Sequence, residues 1–256
     1  MIKKIDFHIK ELENMKNYPS DIFYIGDTNL LKNKKIAIVG TRKPNSYTKA
    51  FTTKLAQELS LNNITIVSGA AMGVDAIAHS ASNNNTIAVV ANSLDIRYPA
   101  VNKNLIQKIE QNSLILSTYE ATTKARAYTF VHRNEIVVAL ADIVIITQAD
   151  LNSGSLTSAK YALNMNKPIY VLPHRISDSE GTNELLKNGD AKAIYNIDEF
   201  LQEIGINKKE IIKDEFLQYC SSNPTYDEAI LKYTSKVFEY ELLGKIEIKD
   251  GKIYLS

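Results

Sequence analysis

The sequence contains a single cysteine, Cys220, among its 256 residues. One cysteine cannot form an internal disulfide bond or a Cys-x-x-Cys zinc or redox motif, and the four histidines are scattered, so we expect no metal site. No apolar run reaches the roughly 18 residues needed to cross a bilayer, and no apolar stretch follows the N-terminal lysines. These absences predict a cytoplasmic protein without a membrane segment or a signal peptide.

A large net charge is also absent, because 30 basic residues are balanced by 29 acidic residues. Any surface that binds a polyanion must therefore be a local patch. Hydrophobic residues make up 45% of the chain, which is enough to bury a full core. The length fits one domain of about 200 residues with a small appendage.

Short apolar runs rich in β-branched residues alternate with segments of helical periodicity from Lys34 to about Asn196. The runs predicted as strands are Lys35–Val39, Thr65–Val67, Thr86–Val90, Leu114–Leu116, Asp142–Thr147 and Pro168–Leu172. They are continuously apolar, which is typical of parallel strands buried on both faces by helices. We therefore predict an α/β fold, a Rossmann-like, doubly wound and mostly parallel sheet, over residues 34–206, with residues 1–33 as a short lead-in.

The alternating pattern stops between Gly205 and Lys209, and a different arrangement follows. The segments predicted as helices are Ile211–Cys220, Tyr226–Tyr233 and Ser235–Leu243, and those predicted as strands are Lys245–Lys249 and Lys252–Leu255. Asp250-Gly251 between the two strands is a strong hairpin signal. We predict a winged-helix-like domain over residues 210–256. Its nine acidic residues outnumber its six lysines, which favours a protein-contact or structural role over duplex DNA binding.

Three predicted strands end in turns that contain glycine with serine or threonine. The residues singled out are Gly40, Thr41 and Arg42 in the first turn, Ser68, Gly69 and Gly73 in the second, and Ser153, Gly154 and Ser155 in the third. Glycine lets an anion approach the backbone, and the free N–H groups of a helix start attract it. The alternative is that these are only tight, capped turns. None is a Gly-x-Gly-x-x-Gly motif, and no Walker lysine follows, so a dinucleotide or triphosphate site is disfavoured.

A fourth segment, Lys124 to Asn134, combines positive charge with aromatic residues. We predict that Arg133 and Asn134 lie at the N-terminal end of a helix, where an arginine opposes the helix dipole and indicates an acidic partner or a bound anion. Phe130 and Tyr128 are candidates for stacking on bases, as aromatic residues do in single-strand binding. The alternative is that Phe130 belongs to the core and that Lys124 and Arg126 lie in a solvated loop.

No arrangement of residues typical of catalysis is evident. Asp75 is expected to stabilise a helix start, and Cys220 to be buried. His79 and His132 lack a Ser/Asp relay, and no serine lies in a Gly-x-Ser-x-Gly elbow. We therefore predict that the protein is not an enzyme and that no residue is catalytic.

These motifs, taken in order, resemble those of the DNA-processing protein A family (DprA, also called Smf) between about Tyr18 and Asn196. The matching segments are IAIVGTR (36–42), SGAAMGVDAIAH (68–79), Leu94-Asp95 with Tyr98-Pro99, Phe130-x-x-Arg133-Asn134, Ser153–Thr157 and Gly181-x-Asn183. The resemblance implies a homodimer that binds single-stranded DNA without sequence preference. It also implies that the protein protects this DNA and helps to load the RecA recombinase on it in natural transformation, without a cofactor.

The resemblance assigns roles to individual residues as well. Gly40, Thr41 and Arg42 would hold one phosphate, and the backbone N–H groups of Gly69 and Gly73 would add donors. Arg133 and Asn134 would hold the next phosphate, and Phe130 would stack on a base. Relatives often carry a basic residue three places before the phenylalanine; this chain has Ala127, so Lys124 or Arg126 would substitute.

Two other functions stay open from the sequence. One is a Rossmann nucleotide hydrolase of the phosphoribohydrolase type, although the expected Pro-Gly-Gly-x-Gly-Thr-x-x-Glu segment is missing. The other is a scaffold whose site is unused.

For the homodimer, we predict an interface around Leu185 to Leu201, where apolar residues gather near the end of the domain. The competing explanation is that these residues close the domain's own core.

Overall fold

The computed structural model describes residues 1–206 and 214–255, which fall into two compact units divided after Ile206. The strands are β1 (Lys3–Lys4), β2 (Phe23–Gly26), β3 (Lys35–Val39), β4 (Thr65–Ser68), β5 (Thr86–Val89), β6 (Leu114–Ser117), β7 (Ile143–Ile146), β8 (Ile169–Val171), β9 (Lys192–Ala193), β10 (Ile246–Lys249) and β11 (Lys252–Leu255). The helices are α1 (Ser46–Leu61), α2 (Val74–Ala81), α3 (Lys103–Asn112), α4 (Ala127–Leu140), α5 (Gly154–Asn164), α6 (Glu180–Lys187), α7 (Ile197–Glu203), α8 (Glu215–Cys220) and α9 (Tyr226–Leu242).

The first unit is built on one nine-stranded sheet in the order β1-β2-β6-β5-β4-β3-β7-β8-β9. All pairs from β6 to β9 are parallel, and only β1 and β2 at one edge are antiparallel. The chain moves from β3 outward to β6 and then returns to the other side of β3 with β7. This topology confirms the predicted doubly wound sheet and puts its switch point between β3 and β7, where ligands bind in such folds.

Both faces of the sheet are buried, as the continuous apolar runs predicted. In β3, Ile36 and Ile38 belong to one hydrophobic cluster, with residues of α1, α2 and α7. Ala37 and Val39 point the other way and belong to a second cluster, with residues of α4 and α5. Successive side chains of a strand alternate between its faces, so only a sheet with helices on both sides buries all four.

The first 33 residues contribute more than a lead-in, because they form β1 and β2 of the main sheet. β2 pairs with β6, and Leu12 is buried in the cluster beneath the sheet. These strands are not predicted from the sequence. They are two and four residues long, too short for an alternating pattern to be recognised.

The second unit has the predicted order of helices followed by a hairpin. Within α9, Tyr233 has non-helical angles that separate two helical segments, as predicted. β10 and β11 pair antiparallel around Asp250 and Gly251, which both have positive φ, so the hairpin prediction is confirmed. The predicted first helix is present from Glu215; its start at residues 211–213 and the predicted domain start at residue 210 lie outside the described residues. In the described ranges, no helix is long and apolar enough to cross a membrane.

Candidate nucleic-acid interface

A cavity of about 460 Å³ opens at the carboxyl ends of β3 and β7, at the switch point of the sheet. The loop after β3 and the start of α5 after β7 form two of its walls, and α4 forms a third. The predicted site residues that line it are Gly40, Thr41, Arg42, Gly69, Phe130, Arg133, Asn134, Ser153, Gly154 and Ser155. The fold therefore brings together residues from four separate segments of the sequence.

Four of the candidate residues do not line this cavity. The Ser68 side chain is fully buried, and its hydroxyl donates to the carbonyl of Ile38 at 2.7 Å. Gly73, with a φ of 80°, lies against the backbone of the first turn, where a Cβ atom would come within 2.4 Å of the Thr41 carbonyl oxygen. Lys124 and Arg126 are exposed in the loop that leads into α4.

The start of α5 has the features of an anion site. Its first turn is capped by Ser153, whose hydroxyl accepts from the N–H of Leu156 at 3.4 Å. Gly154 and Ser155 are the first two helical residues, so their N–H groups have no partner within the helix. The 11-residue helix adds the positive end of its dipole to these donors.

A basic side chain and an aromatic ring also meet at this cavity. The Arg42 guanidinium lies 5.4 Å from the centroid of the half-buried Phe130 ring, and the ring of Tyr98 lies 6.2 Å from it at an angle of 52°. Phe130 belongs to no hydrophobic cluster in the part of the chain that the structure describes. The core explanation for Phe130 is therefore wrong, and its ring faces the cavity.

The prediction that Arg133 and Asn134 lie at the start of a helix is wrong. Helix α4 begins at Ala127, so both residues lie in its middle. Arg133 is only 5% exposed, and its Nη1 donates to the carbonyls of Gly69 and, at 3.1 Å, Val89. The apolar stripe used to locate the helix begins only at Ile136, because the preceding turns face the cavity and the solvent.

The charge of Asp75 acts on Arg133, although the helix-start position from which an acidic partner was inferred is wrong. The carboxylate is 6% exposed and accepts from the N–H of Ala71 at 3.3 Å. Burial raises the pKa of Asp75, while the charge of Arg133 and the Ala71 N–H act in the opposite direction. The N–H of Val74, in the first turn of α2, donates to the Thr41 carbonyl at 3.2 Å, so part of the second glycine turn is used within the protein.

His79 lies beneath the same turn and is neutral. Burial, followed by the charge of Arg133, lowers the pKa of His79 to about 3. Its Nδ1 lies 2.7 Å from the Thr86 hydroxyl oxygen, which itself donates to a backbone carbonyl. Within residues 1–206 and 214–255, no group of three or more His, Cys, Asp or Glu side chains could hold a metal ion.

Several residues at the site were missed in the sequence analysis. Lys43 and Ser158 line the main cavity, as do Gln148 and the exposed Asp150. Met72 and Tyr98 line a smaller cavity beside Phe130. Lys43 follows Arg42 directly and Gln148 follows β7, so their positions were a usable signal. Tyr98 was identified as part of a motif but not as a site residue.

Most of the first unit matches a known protein family. The family model of DNA recombination-mediator protein A matches residues 4–205. DNA processing protein DprA of Bacillus subtilis is 34% identical over 199 residues, which cover 75% of this chain and 67% of that protein. Protein Smf of Synechocystis is 37% identical over 175 residues, 66% of this chain, but the match spans only 44% of that protein's length.

Two solved structures are similar as well. DNA processing protein A of Helicobacter pylori, which binds single-stranded DNA, is 45% identical and superimposes with a TM-score of 0.78 over 79% of this chain and 95% of its own. DprA of Streptococcus pneumoniae is 33% identical, with a TM-score of 0.74 over 79% of this chain and 74% of its own. On the family match, the sequence identities and the shared fold, this chain belongs to the DNA recombination-mediator protein A family, that of the DprA and Smf proteins.

Proposed function

We propose that this protein binds single-stranded DNA without sequence preference in the cavity between β3 and β7. The observation that carries the proposal is the combination in one cavity of Arg42, Lys43, the start of α5 and the ring of Phe130. Cationic side chains and helix N–H groups suit phosphates, and an aromatic face stacks on any base. Binding of single-stranded DNA by the similar Helicobacter pylori protein supports it.

Membership of the recombination-mediator family supports a proposal for the role in the cell. A recombination mediator acts together with a recombinase, so we propose that this protein protects single-stranded DNA and helps to load RecA on it during natural transformation, in the cytoplasm. This role needs no cofactor and no chemical step. The buried carboxylate that lines the cavity, Asp75, accepts from the N–H of Ala71 and feels the charge of Arg133, which disfavours a role as a general base and so the hydrolase alternative.

Binding to single-stranded and duplex DNA of equal length tests the function. We expect tight binding of the single strand and at least tenfold weaker binding of the duplex, a difference of about 1.4 kcal/mol, because only unstacked bases reach Phe130. Equal affinities would contradict the proposal. Incubation with nucleoside monophosphates is the second arm, in which release of the base would support the hydrolase instead.

The C-terminal unit fits a role in protein contact rather than in duplex binding. The Lys232 ammonium lies over the rings of Tyr219 and Tyr233, at 4.8 and 5.2 Å, and Lys245 lies over Tyr240 at 4.8 Å. These lysines are engaged within the unit. Its last helical segment exposes apolar rather than basic side chains, including Leu242 at 90% exposure.

We propose that the homodimer forms at the β9 edge of the sheet, within the segment predicted from the sequence. Most apolar residues of that segment are buried in this chain's own core (Leu185, Ile194, Ile197, Phe200, Leu201), so the interface must use their neighbours. Tyr195 is 81% exposed and lies two residues after the end of β9.

Sedimentation at micromolar concentration is expected to give a dimer for the wild type and a monomer for Tyr195→Glu, because the new carboxylate would have to be buried in the interface. Tyr128→Glu, on an exposed residue of α4, is the matched control and should stay dimeric. A monomeric wild type would exclude the homodimer.

A further inference from the structure

The second glycine turn, from Ser68 to Asp75, differs from the start of α5 because its polar groups are engaged by the protein itself. The N–H of Ala71 donates to the Asp75 carboxylate, and the carbonyl of Gly69 accepts from Arg133. At the start of α5, by contrast, the N–H groups of Gly154 and Ser155 have no partner in their helix. The cavity therefore has one turn suited to an external anion and one that already holds an internal anion.

Arg133 is bound on several sides. Its Nη1 donates to the Gly69 and Val89 carbonyls, and its Nε donates to the Asn134 side chain at 3.1 Å. The guanidinium is buried and always charged, so it needs a compensating charge, and Asp75 provides it. A Cβ atom on Gly69 would lie 2.0 Å from Arg133 Nη1 and 2.7 Å from Asp75 Oδ2, which leaves no room for a phosphate between the pair at this point.

The same guanidinium also lies beside the proposed stacking residue. Its centre is 5.8 Å from the ring of Phe130, which precedes it by three residues on the same side of α4. Arg133 thus contacts the carbonyl of the Gly69 turn and the Phe130 ring at once. Replacing its planar guanidinium would therefore release both the Gly69 turn and the Phe130 ring, the residue proposed to stack on a base.

We propose that Arg133 and Asp75 are a positioning pair, which holds the Gly69–Ala71 turn and Phe130 in place and does not itself neutralise a DNA phosphate. The proposal rests on the proposed function, since it deepens the account of the same site. It replaces the phosphate-binding role that family resemblance implied for Arg133, and it leaves Arg42, Lys43 and the start of α5 as the phosphate side of the cavity.

The test compares full-length Asp75→Asn, Arg133→Gln and the double variant with the wild type, by measuring affinity for an oligothymidylate at several salt concentrations. We expect Arg133→Gln to weaken binding at least about tenfold while the slope of log affinity against log salt stays unchanged. The double variant should bind about tenfold better than Arg133→Gln alone, because no buried charge is then left unpaired. A phosphate contact predicts the reverse: a slope lower by about 0.7, no rescue, and tighter binding by Asp75→Asn.

Arg133→Lys is the conservative variant and keeps the charge without the fork. If Arg133 acts by positioning, its planar guanidinium is needed, so we expect Arg133→Lys to lose affinity for DNA with an unchanged slope of log affinity against log salt. If Arg133 instead contacted a phosphate, the lysine ammonium would keep that contact as a point charge. Thermal melting of the free proteins needs no DNA. If the double variant loses less stability than the sum of the losses in Asp75→Asn and Arg133→Gln, the pair is supported. Additive losses of stability would overturn it. A wild type that binds no DNA would overturn the proposed function, while the melting cycle would still decide the pairing.

Discussion

Phe130→Ala is expected to weaken single-strand binding by about 1–3 kcal/mol while leaving its salt dependence nearly unchanged. Stacking of a base on an aromatic ring has this magnitude and involves no release of counterions. The ring is available because it lines the cavity and lies outside the hydrophobic clusters of the described residues. Affinity titrations of an oligothymidylate at several salt concentrations measure both quantities.

Arg42→Ala should behave differently, because the exposed guanidinium lines the cavity, where it can meet a phosphate. We expect weaker binding together with a salt slope that is lower by about 0.7, the value for one phosphate of a single strand. Arg97→Ala is the matched control. That arginine is also exposed but is paired with Glu110 at 2.6 Å outside the cavity, so its loss should change neither quantity.

Folding must be measured in the same variants, and the structure predicts the outcome. Truncation of a core phenylalanine costs about 3–5 kcal/mol of stability, but Phe130 is only half-buried, so a smaller loss is expected. Wild-type affinity and slope in a folded Arg42→Ala protein would show that this cavity holds no phosphate. Full affinity in a folded Phe130→Ala protein would exclude stacking.

The central strands of the sheet were predictable from the sequence, because continuous apolar runs indicate them. β3 has the predicted bounds, Lys35–Val39, and β7 lies within the predicted Asp142–Thr147. Its edge was not predictable, because β1 and β9 have two residues each and take their conformation from the strands beside them. Local signals specify the buried centre of such a fold better than its short edge strands.

The sequence predicted which residues lie at the cavity better than it predicted which of them contact each other. Glycine and hydroxyl residues after buried strands identified the loops that meet at the cavity. The partners of Arg133 were not predictable, because Asp75, Gly69 and Val89 lie 44 to 64 residues away and are joined to it only by tertiary structure. A charged side chain in a helix is ordinarily assigned to solvent, and only packing reveals that this one is buried.

Two of the candidate glycines, Gly73 and Gly154, are expected to differ sharply when each is replaced by alanine. Gly73→Ala should destabilise the fold by at least about 2 kcal/mol, because its φ of 80° is strained for alanine and the new Cβ would lie 2.4 Å from the Thr41 carbonyl oxygen. Gly154→Ala should leave the melting temperature unchanged or raise it, because its Cβ would approach only the Asn134 side chain, at 3.8 Å.

Gly154→Ala, which is expected to fold normally, should nevertheless lose affinity for single-stranded DNA. If a phosphate meets the first N–H groups of α5, the methyl group of Gly154→Ala occupies the space that the phosphate needs. We expect about a tenfold loss of affinity, near 1.4 kcal/mol, in a protein as stable as the wild type. Leu163→Ala, a truncation at an exposed residue near the far end of the same helix, is the control and should bind normally. Unchanged binding by Gly154→Ala would mean that its turn is only a capped turn, and the phosphates would then have to be held by Arg42 and Lys43 alone.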